Sequence, residues 1–273
     1  YAFLFLLHVL ILKFWASGKM GAAAASIALL LAMKGYGTLF LVLALMRRDL
    51  RLVATTSLLF VLIVALSSLL VGFETWRVYG TQLGVFLFAL PASATFQQTI
   101  GSFFSWLMVR DEWNARPWFD LPFLVRPLVA LFLTGGVALL YRLSRNKGRA
   151  SLDVSFSAAI ILSVLTAPLL FDYHYVFLLI PILVCYKRLS VRAPGIGSAA
   201  FGIALLFLVP KIPYFDPLFQ GTWLGILGFP RVFGALTVLW ILTMVAKDEL
   251  PRTAPQESAG ARFIRSDSIG GTG

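Results

Sequence analysis

The residues with the clearest chemical potential are few, and they interrupt long apolar runs. The first is Lys34, which precedes Gly35-Tyr36-Gly37 within the otherwise apolar residues 21–46. A lysine ammonium is a compact point charge, and beside flexible glycines it can bind a phosphate group. The alternative is that its aliphatic stem lies in an apolar layer while the charge reaches water. Of the two, phosphate binding is the favoured hypothesis for Lys34.

The second group lies between two apolar runs and contains Asp172 and His174. These two residues are close enough in sequence to share a hydrogen-bond network. A histidine that titrates near neutral pH can move a proton or bind an anion. The equally weighted alternative is a polar turn in which Asp172 caps a helix. His8, by contrast, lies in an apolar run with no evident partner, so we expect no function of it.

The third group is Gln97-Gln98-Thr99. All three side chains can both donate and accept hydrogen bonds, so together they could hold the hydroxyl groups of a sugar. The alternative, which residue type slightly favours, is that the segment caps the helix that follows it. The sequence of residues 97–99 is compatible with both interpretations.

The composition places these residues in a membrane protein. The chain has 273 residues, of which 59% are hydrophobic and 13% are charged, whereas soluble domains have roughly 45–50% apolar and 25% charged residues. A helix needs about 20 mostly apolar residues to cross a bilayer. We therefore predict an all-α, polytopic transmembrane helical bundle with about 7–9 membrane segments. The later runs expected to cross are residues 52–72, 121–141, 154–171, 173–189, 197–210 and 232–246.

The charges between these runs give an orientation. One set of loops carries 14 basic and six acidic residues, and the alternating set carries six of each. Because cytoplasmic loops collect Lys and Arg, the first set is assigned to the cytoplasm, together with the C-terminus. This topology explains most of the net charge of +11 without a nucleic-acid partner.

Residues 21–46 need separate treatment, because basic residues flank them on both sides. Lys19 precedes the segment, and Arg47 and Arg48 follow it. One long span would place positive charge on both faces of the membrane, against the usual asymmetry. We therefore favour two short helices that meet at residues 34–37 and have both flanks in the cytoplasm. A helix over residues 20–33 would reach only about 21 Å into a bilayer core of about 30 Å.

The remaining segments divide into aromatic outer loops and a polar tail. Residues 73–120 and 211–231 are rich in Trp, Tyr and Phe, which is typical of the membrane interface. We expect short interfacial helices there, for example over residues 94–109. Residues 1–250 are predicted to form one transmembrane domain, and residues 251–273 a disordered cytoplasmic tail. The chain starts within an apolar run, so we expect an N-terminal part to be missing.

Three motifs, taken in order, carry a resemblance to a known family. They are Lys34-Gly-Tyr-Gly with the downstream Arg47-Arg48-Asp-Leu-Arg51, then Gln97-Gln98-Thr99-Ile100, then Ala167-Pro-Leu-Leu-Phe-Asp-Tyr-His-Tyr175. In this order and spacing the chain resembles glycosyltransferase family 87, whose motifs are similar to Lys-Pro-x-Pro, Asn-Gln-Ser-Leu and Ser-Pro-x-x-Trp-x-His-His-Tyr. The resemblance covers about residues 20–190, and its specific part is the joint order of three loose motifs.

The resemblance implies an integral membrane glycosyltransferase of the C-type superfamily, located in a bacterial plasma membrane and acting in the cell envelope. Such an enzyme is similar to the mannosyltransferases. It moves a hexosyl or pentosyl group from a polyprenyl-phosphate donor to a lipid or glycan acceptor at the outer face. Lys34 is then expected to bind the donor phosphate, His174 with Asp172 to be catalytic, and Gln97, Gln98 and Thr99 to bind sugar or acceptor. His174 is expected to act as an imidazolium, and no metal or other cofactor is expected.

Departures from the family pattern limit what it implies. Glycines replace both prolines of the first motif, Gln97 stands where asparagine is usual, and Tyr173 replaces the first histidine of the pair. In C-type enzymes the catalytic acid lies in the first outer loop, which would precede residue 1, so this chain by itself is expected to be inactive. The alternatives are a transporter or permease subunit, which should show related halves, and a structural membrane protein.

Overall fold

A computed structural model describes residues 1–88, 93–145, 149–167, 172–192, 196–209 and 223–248, without the side chains of residues 83, 86–88, 149–150, 172–173, 190–192, 196, 223 and 247–248. The described residues form helices and connecting loops without a β-strand, which agrees with the predicted all-α class. The α-helices are α1 (Ala2–Ala16), α2 (Met20–Lys34), α3 (Thr38–Met46), α4 (Leu50–Val71), α5 (Phe73–Phe88), α6 (Ile100–Met108), α7 (Val125–Ser144), α8 (Arg149–Leu165), α9 (Leu179–Arg192), α10 (Ile196–Leu208) and α11 (Pro230–Asp248). Among the described residues, 3₁₀ helices cover Pro122–Leu124, Asp172–Leu178 and Trp223–Gly228.

Within the part of the chain that the structure describes, two helices are long and apolar enough to cross a bilayer. Leu50–Val71 has 22 residues and Pro122–Ser144 has 23. In the most apolar 18 residues of each helix, only 11% and 17% of the residues are buried within the protein. Their side chains therefore face outward, as expected of helices that contact lipid. The predicted runs at 52–72 and 121–141 match these two helices. The other apolar helices are shorter, so the total of 7–9 membrane segments stays a prediction.

Helix α8 lies at the centre of the fold. Its residues from Val154 to Leu165 are almost all buried, and it packs against α3, α7, α9 and α11. This stretch is apolar apart from Ser155, Ser157 and Ser163, and a helix that is apolar on nearly all sides belongs in such a core position. Phe156 of α8 stacks on Phe40 of α3 with ring centroids 4.6 Å apart and an angle of 16° between the planes. Through this contact the N-terminal helix α3 packs against the central helix α8.

Two hydrogen bonds define the opposite ends of helix α1. At its start, the hydroxyl of Tyr1 accepts a bond of 3.2 Å from Lys34. At its end, the indole Nε1 of Trp15 donates a bond of 2.9 Å to Asp49. Since 15 helical residues span about 22 Å, Lys34 and Asp49 lie at opposite ends of the bundle. Helices α2 and α3 therefore run in opposite directions, as expected of two short helices that meet at residues 34–37, and the cytoplasmic position of their flanks stays a prediction.

The connection between α2 and α3 depends on glycine at two positions. Gly35 ends α2 with φ of 69°, in the left-handed region that residues with a Cβ seldom adopt. Gly37 is tightly packed, because a Cβ there would lie 2.6 Å from Cγ of Leu31 and 2.9 Å from the carbonyl oxygen of Ile27. The hydroxyl of Thr38 then donates to the carbonyl of Gly35 at 2.8 Å. Lys34 therefore occupies the last residue of a helix that must end there.

The end of the bundle that contains Trp15 and Asp49 holds a buried cation. The side chain of Arg47 is 8% exposed, and its Nε lies 4.0 Å from the carboxylate of Asp49. Burial lowers the pKa of Arg47, and the negative charge of Asp49 offsets part of that effect. Trp15, Arg47 and Asp49 thus connect the end of α1 to the start of α4.

Two predicted boundaries were wrong. The helix expected over residues 94–109 begins only at Ile100, because Thr99 caps it in an extended conformation. The continuous span expected over 173–189 is divided into the 3₁₀ helix Asp172–Leu178 and α9. Pro181 explains this division, because proline lacks the N–H needed in a helix interior and is tolerated only in the first turn. The tail at 251–273 lies outside the described residues.

Candidate active site

The structure brings together two of the predicted site residues. Nζ of Lys34 lies 3.1 Å from Nε2 of His174, although the two residues are 140 positions apart in sequence. Lys34 comes from the end of α2, and His174 from the 3₁₀ helix before α9. The break after Lys34 and the short helix around His174 therefore place the two groups at the same end of the bundle. We name this pair the Lys34–His174 site.

Tyr1 completes the polar part of the Lys34–His174 site. Its hydroxyl accepts a hydrogen bond of 3.2 Å from the ammonium of Lys34. The same ammonium lies 5.0 Å from the centroid of the Tyr1 ring, within the range of a cation–π interaction. The Tyr1 and His174 rings meet edge to face with centroids 4.7 Å apart. Two of the three ammonium donors of Lys34 are accounted for by Tyr1 and His174.

Two further aromatic rings fix the position of the His174 ring. Tyr36 and Phe177 meet the ring edge to face, with centroids 6.0 and 6.3 Å away. Tyr36 and Phe177 also contact each other, at 5.8 Å. Tyr36 belongs to the glycine-flanked break that carries Lys34, so the break contributes to both members of the pair.

The site is open on one side and closed on the other. His174 is 1% exposed, whereas Tyr1 is 45% exposed and Lys34 is also exposed. A ligand would therefore meet the ammonium and the tyrosine hydroxyl first, with the imidazole behind them. This geometry suits an anionic group that approaches from outside the bundle.

The contact between Lys34 and His174 bears on the protonation of the imidazole. A lysine ammonium has three donors and no acceptor, so a bond to Nε2 requires a lone pair on that nitrogen. An imidazolium has none, because both ring nitrogens then carry protons. The contact favours a neutral His174 that carries its proton on Nδ1, rather than the imidazolium expected from the sequence. In this arrangement the positive charge lies on Lys34, next to the buried ring of His174.

Asp172 begins the 3₁₀ helix that carries His174, but its side chain lies outside the described residues. The structure therefore leaves the prediction of a network between Asp172 and His174 as a prediction.

The three polar residues at 97–99 are buried and bonded within the chain. Thr99 is the N-cap of α6, and its hydroxyl accepts a bond of 3.0 Å from the backbone N–H of Ser102. The hydroxyl of Ser102 in turn donates to Oε1 of Gln97 at 3.2 Å. Gln98 is fully buried, and Nε2 donates to the carbonyl of Gly228 at 2.6 Å. The cap that residue type favoured is present, and direct binding of sugar by these side chains stays a prediction.

His8 has partners that the sequence did not reveal. Its Nδ1 lies 2.7 Å from the carbonyl oxygen of Leu4, and its ring stacks on Phe177 with centroids 4.8 Å apart and an angle of 24° between planes. Phe40 meets the same ring edge to face at 5.5 Å. His8 thus packs α1 against α3 and against the 3₁₀ helix that carries His174, which is a structural role.

Sequence reasoning missed Tyr1 as a member of the site. No pattern could have paired Tyr1 with Lys34, because their contact follows from the antiparallel packing of α1 on α2. Tyr36 was visible as part of the interrupted segment, but nothing in its spacing pointed to His174.

The comparison with family models gives the relationship of this chain to known proteins. The model described as glycosyltransferase family 87 matches residues 1–168, which include Lys34 and residues 97–99 and end shortly before His174. No curated protein and no solved structure gives a significant match. Because the matched residues make up more than half of the chain, the protein belongs to glycosyltransferase family 87, a family of membrane glycosyltransferases.

Proposed function

We propose that this protein is a membrane glycosyltransferase that takes its sugar from a polyprenyl-phosphate donor and transfers it to a lipid or glycan acceptor. The observation that carries the proposal is the 3.1 Å contact between Lys34 and His174. It places a cation at an accessible end of the bundle in a chain that belongs to a glycosyltransferase family. The predicted orientation puts this end at the outer face of the membrane, with the C-terminus in the cytoplasm.

The reaction needs positive charge where the phosphate leaves. The bond between the anomeric carbon of the sugar and the phosphate oxygen breaks, and its electron pair remains on the phosphate. A new bond forms between that carbon and the acceptor oxygen, whose proton passes to a base. Lys34 would stabilise the charge that develops on the phosphate, because a prepositioned cation acts most strongly in a site with little water. The reaction then needs no metal ion.

The other predicted residues take supporting roles in this proposal. A neutral His174 holds the ammonium of Lys34 toward the phosphate, and its ring packs against Tyr1 and Phe177. A base must receive the acceptor proton, and Asp172 is the acidic residue nearest to His174 in sequence. Thr99 and Gln97 shape the start of α6, where we propose that sugar or acceptor binds.

The experiment is a transfer assay with the full-length gene product in proteoliposomes. The donors are polyprenyl-phosphate derivatives of mannose, glucose and a pentose, each labelled in the sugar. A lipid extract from membranes of the source organism serves as acceptor. The proposal predicts labelled product with at least one donor and release of polyprenyl phosphate in equal amount. Movement of labelled sugar across the bilayer without a new glycosidic bond would overturn it and favour a transporter.

A further inference from the structure

A buried hydrogen-bond cluster next to the Lys34–His174 site uses every polar group of the Gln98 side chain. Nε2 donates to the carbonyl oxygens of Thr95 and Gly228, and Oε1 accepts a bond of 3.2 Å from the backbone N–H of Arg231. An amide side chain has two donor hydrogens and one acceptor oxygen. The orientation of Gln98 is thereby determined, because its nitrogen faces two carbonyls and its oxygen faces an N–H.

The backbone of Gln98 extends this cluster to the segment that carries His174. The hydroxyl of Tyr175 donates to the carbonyl oxygen of Gln98 at 2.5 Å, and Tyr175 directly follows His174 in the 3₁₀ helix. Tyr175 is 8% exposed. The guanidinium carbon of Arg231 lies 5.7 Å from the centroid of the Tyr175 ring. Gln98, Tyr175 and Arg231 therefore join the start of α6, the 3₁₀ helix and the start of α11.

We propose that Gln98 and Tyr175 are positioning residues, which set the place of His174 and through it the direction of the Lys34 ammonium. This inference rests on the proposed function of the Lys34–His174 site. A 3₁₀ helix has weaker hydrogen-bond geometry than an α-helix, so tertiary contacts must determine where its side chains lie. The bond from Tyr175 to Gln98 is such a contact, and it is made one residue away from His174.

His174 and Tyr175, which are neighbours in the 3₁₀ helix, contact different parts of the protein. His174 contacts the end of α2 through Lys34, and Tyr175 contacts the segment before α6 through Gln98. Removing the Tyr175 hydroxyl leaves His174 and Lys34 chemically intact. It removes the bond to Gln98 that orients the 3₁₀ helix on which His174 lies. A displacement of about 1 Å at a catalytic group can reduce a rate by about a hundredfold. The expected effect is therefore on the reaction step rather than on donor binding.

The test replaces Tyr175 by phenylalanine, with Tyr186→Phe as the matched control. Tyr186 lies on the next helix, and its side chain is 62% exposed. We expect Tyr175→Phe to lower kcat for transfer about tenfold while KM for the donor changes less than about twofold. The control should retain wild-type values. Unchanged kcat in Tyr175→Phe would contradict the proposal.

A second measurement separates positioning from a general loss of stability. The chain has two histidines, so ¹⁵N-histidine labelling gives a resolvable spectrum in which His174→Gln assigns the His174 signals. Tyr175→Phe should shift the His174 signals in folded protein, as should Gln98→Met. A double-mutant cycle with Lys34→Met should be non-additive in kcat, because the hydroxyl acts through that contact. Additive effects, or unshifted His174 signals, would overturn the inference.

These readouts keep the inference distinct from the proposed function. If the wild-type protein transfers no sugar, the proposed function fails, and the histidine spectra still decide whether Tyr175 positions His174. If transfer occurs but Tyr175→Phe matches the control in both rate and spectrum, the positioning role fails and the glycosyltransferase assignment stands.

Discussion

Lys34 and His174 are 140 residues apart in sequence, and their side chains meet at 3.1 Å between Nζ and Nε2. The contact exists because α2 ends at a left-handed glycine and because a 3₁₀ helix presents His174 to that same end. Tyr1, Tyr36 and Phe177 pack around the imidazole ring. An accessible cation thus lies beside a buried imidazole ring.

The first prediction concerns the protonation of His174. The ¹⁵N spectrum of histidine-labelled protein at neutral pH should show a neutral His174 with its proton on Nδ1 and an acceptor nitrogen at Nε2, because Lys34 donates to that nitrogen. Lys34→Met should change the Nε2 signal, and Lys19→Met should leave it unchanged. Signals of an imidazolium in the wild type would show that this contact is assigned wrongly.

The second prediction distinguishes a helix cap from a sugar ligand at Thr99. Thr99→Ala should lower the free energy of unfolding by about 1 kcal/mol, since it removes the bond to the Ser102 N–H. Thr99→Ser should retain most of this free energy because serine caps equally well. Unfolding in mixed detergent micelles measures both. A raised KM in Thr99→Ala without any change in stability would favour direct sugar binding.

The third prediction concerns the break between α2 and α3. Gly37→Ala should destabilise the protein by about 1–3 kcal/mol, because the added Cβ would lie 2.9 Å from the Ile27 carbonyl oxygen. Gly21→Ala is the matched control, since a Cβ at Gly21 meets nothing within 4 Å. Its helical position should make the control neutral or slightly stabilising. Equal stability of the two variants in the same unfolding assay would contradict the close packing of Gly37.

The fourth prediction concerns the topology of the first three helices. In a variant with Cys185 replaced by serine, single cysteines at Lys19 and Arg51 should react with a membrane-impermeant reagent from the cytoplasmic side. A single cysteine at Thr38 should react from the opposite side. The three residues are exposed, and the contacts of Tyr1 and Trp15 place Thr38 at the other end of the bundle. Labelling of all three from one side would contradict the paired short helices.

The helices and the break could be predicted from the sequence because they follow from local properties. The uncharged run at 52–72 predicted α4, and the glycines beside Lys34 together with basic residues on both flanks predicted two short helices. The start of α6 was placed six residues early, at Ala94, whereas Thr99 caps the helix so that it begins at Ile100. That cap was the slightly favoured interpretation of residues 97–99.

The site itself was only partly predictable. Lys34 and His174 stood out as ionisable groups between apolar runs, but their contact depends on how distant helices pack. Tyr1 could not be identified, since its role follows from the antiparallel arrangement of α1 and α2. Gln98 was predicted either to help hold a sugar or to belong to a helix cap, because a glutamine that bonds a sugar and one that bonds backbone carbonyls look alike in sequence. Burial decides between these environments, and no local pattern reports the burial of one side chain.

The central claim is that Lys34 provides the charge that binds the donor phosphate and stabilises it as it leaves. The most direct measurement compares kcat/KM for sugar transfer in the wild type, Lys34→Ala and Lys19→Ala, using the donor that the wild type accepts. Lys19 is an exposed lysine at the opposite end of the bundle, so Lys19→Ala controls for lost charge. A bond to a charged group contributes about 1.5–3 kcal/mol, so Lys34→Ala should lower kcat/KM by about tenfold or more while Lys19→Ala stays at the wild-type value. Undiminished transfer in Lys34→Ala would contradict the claim.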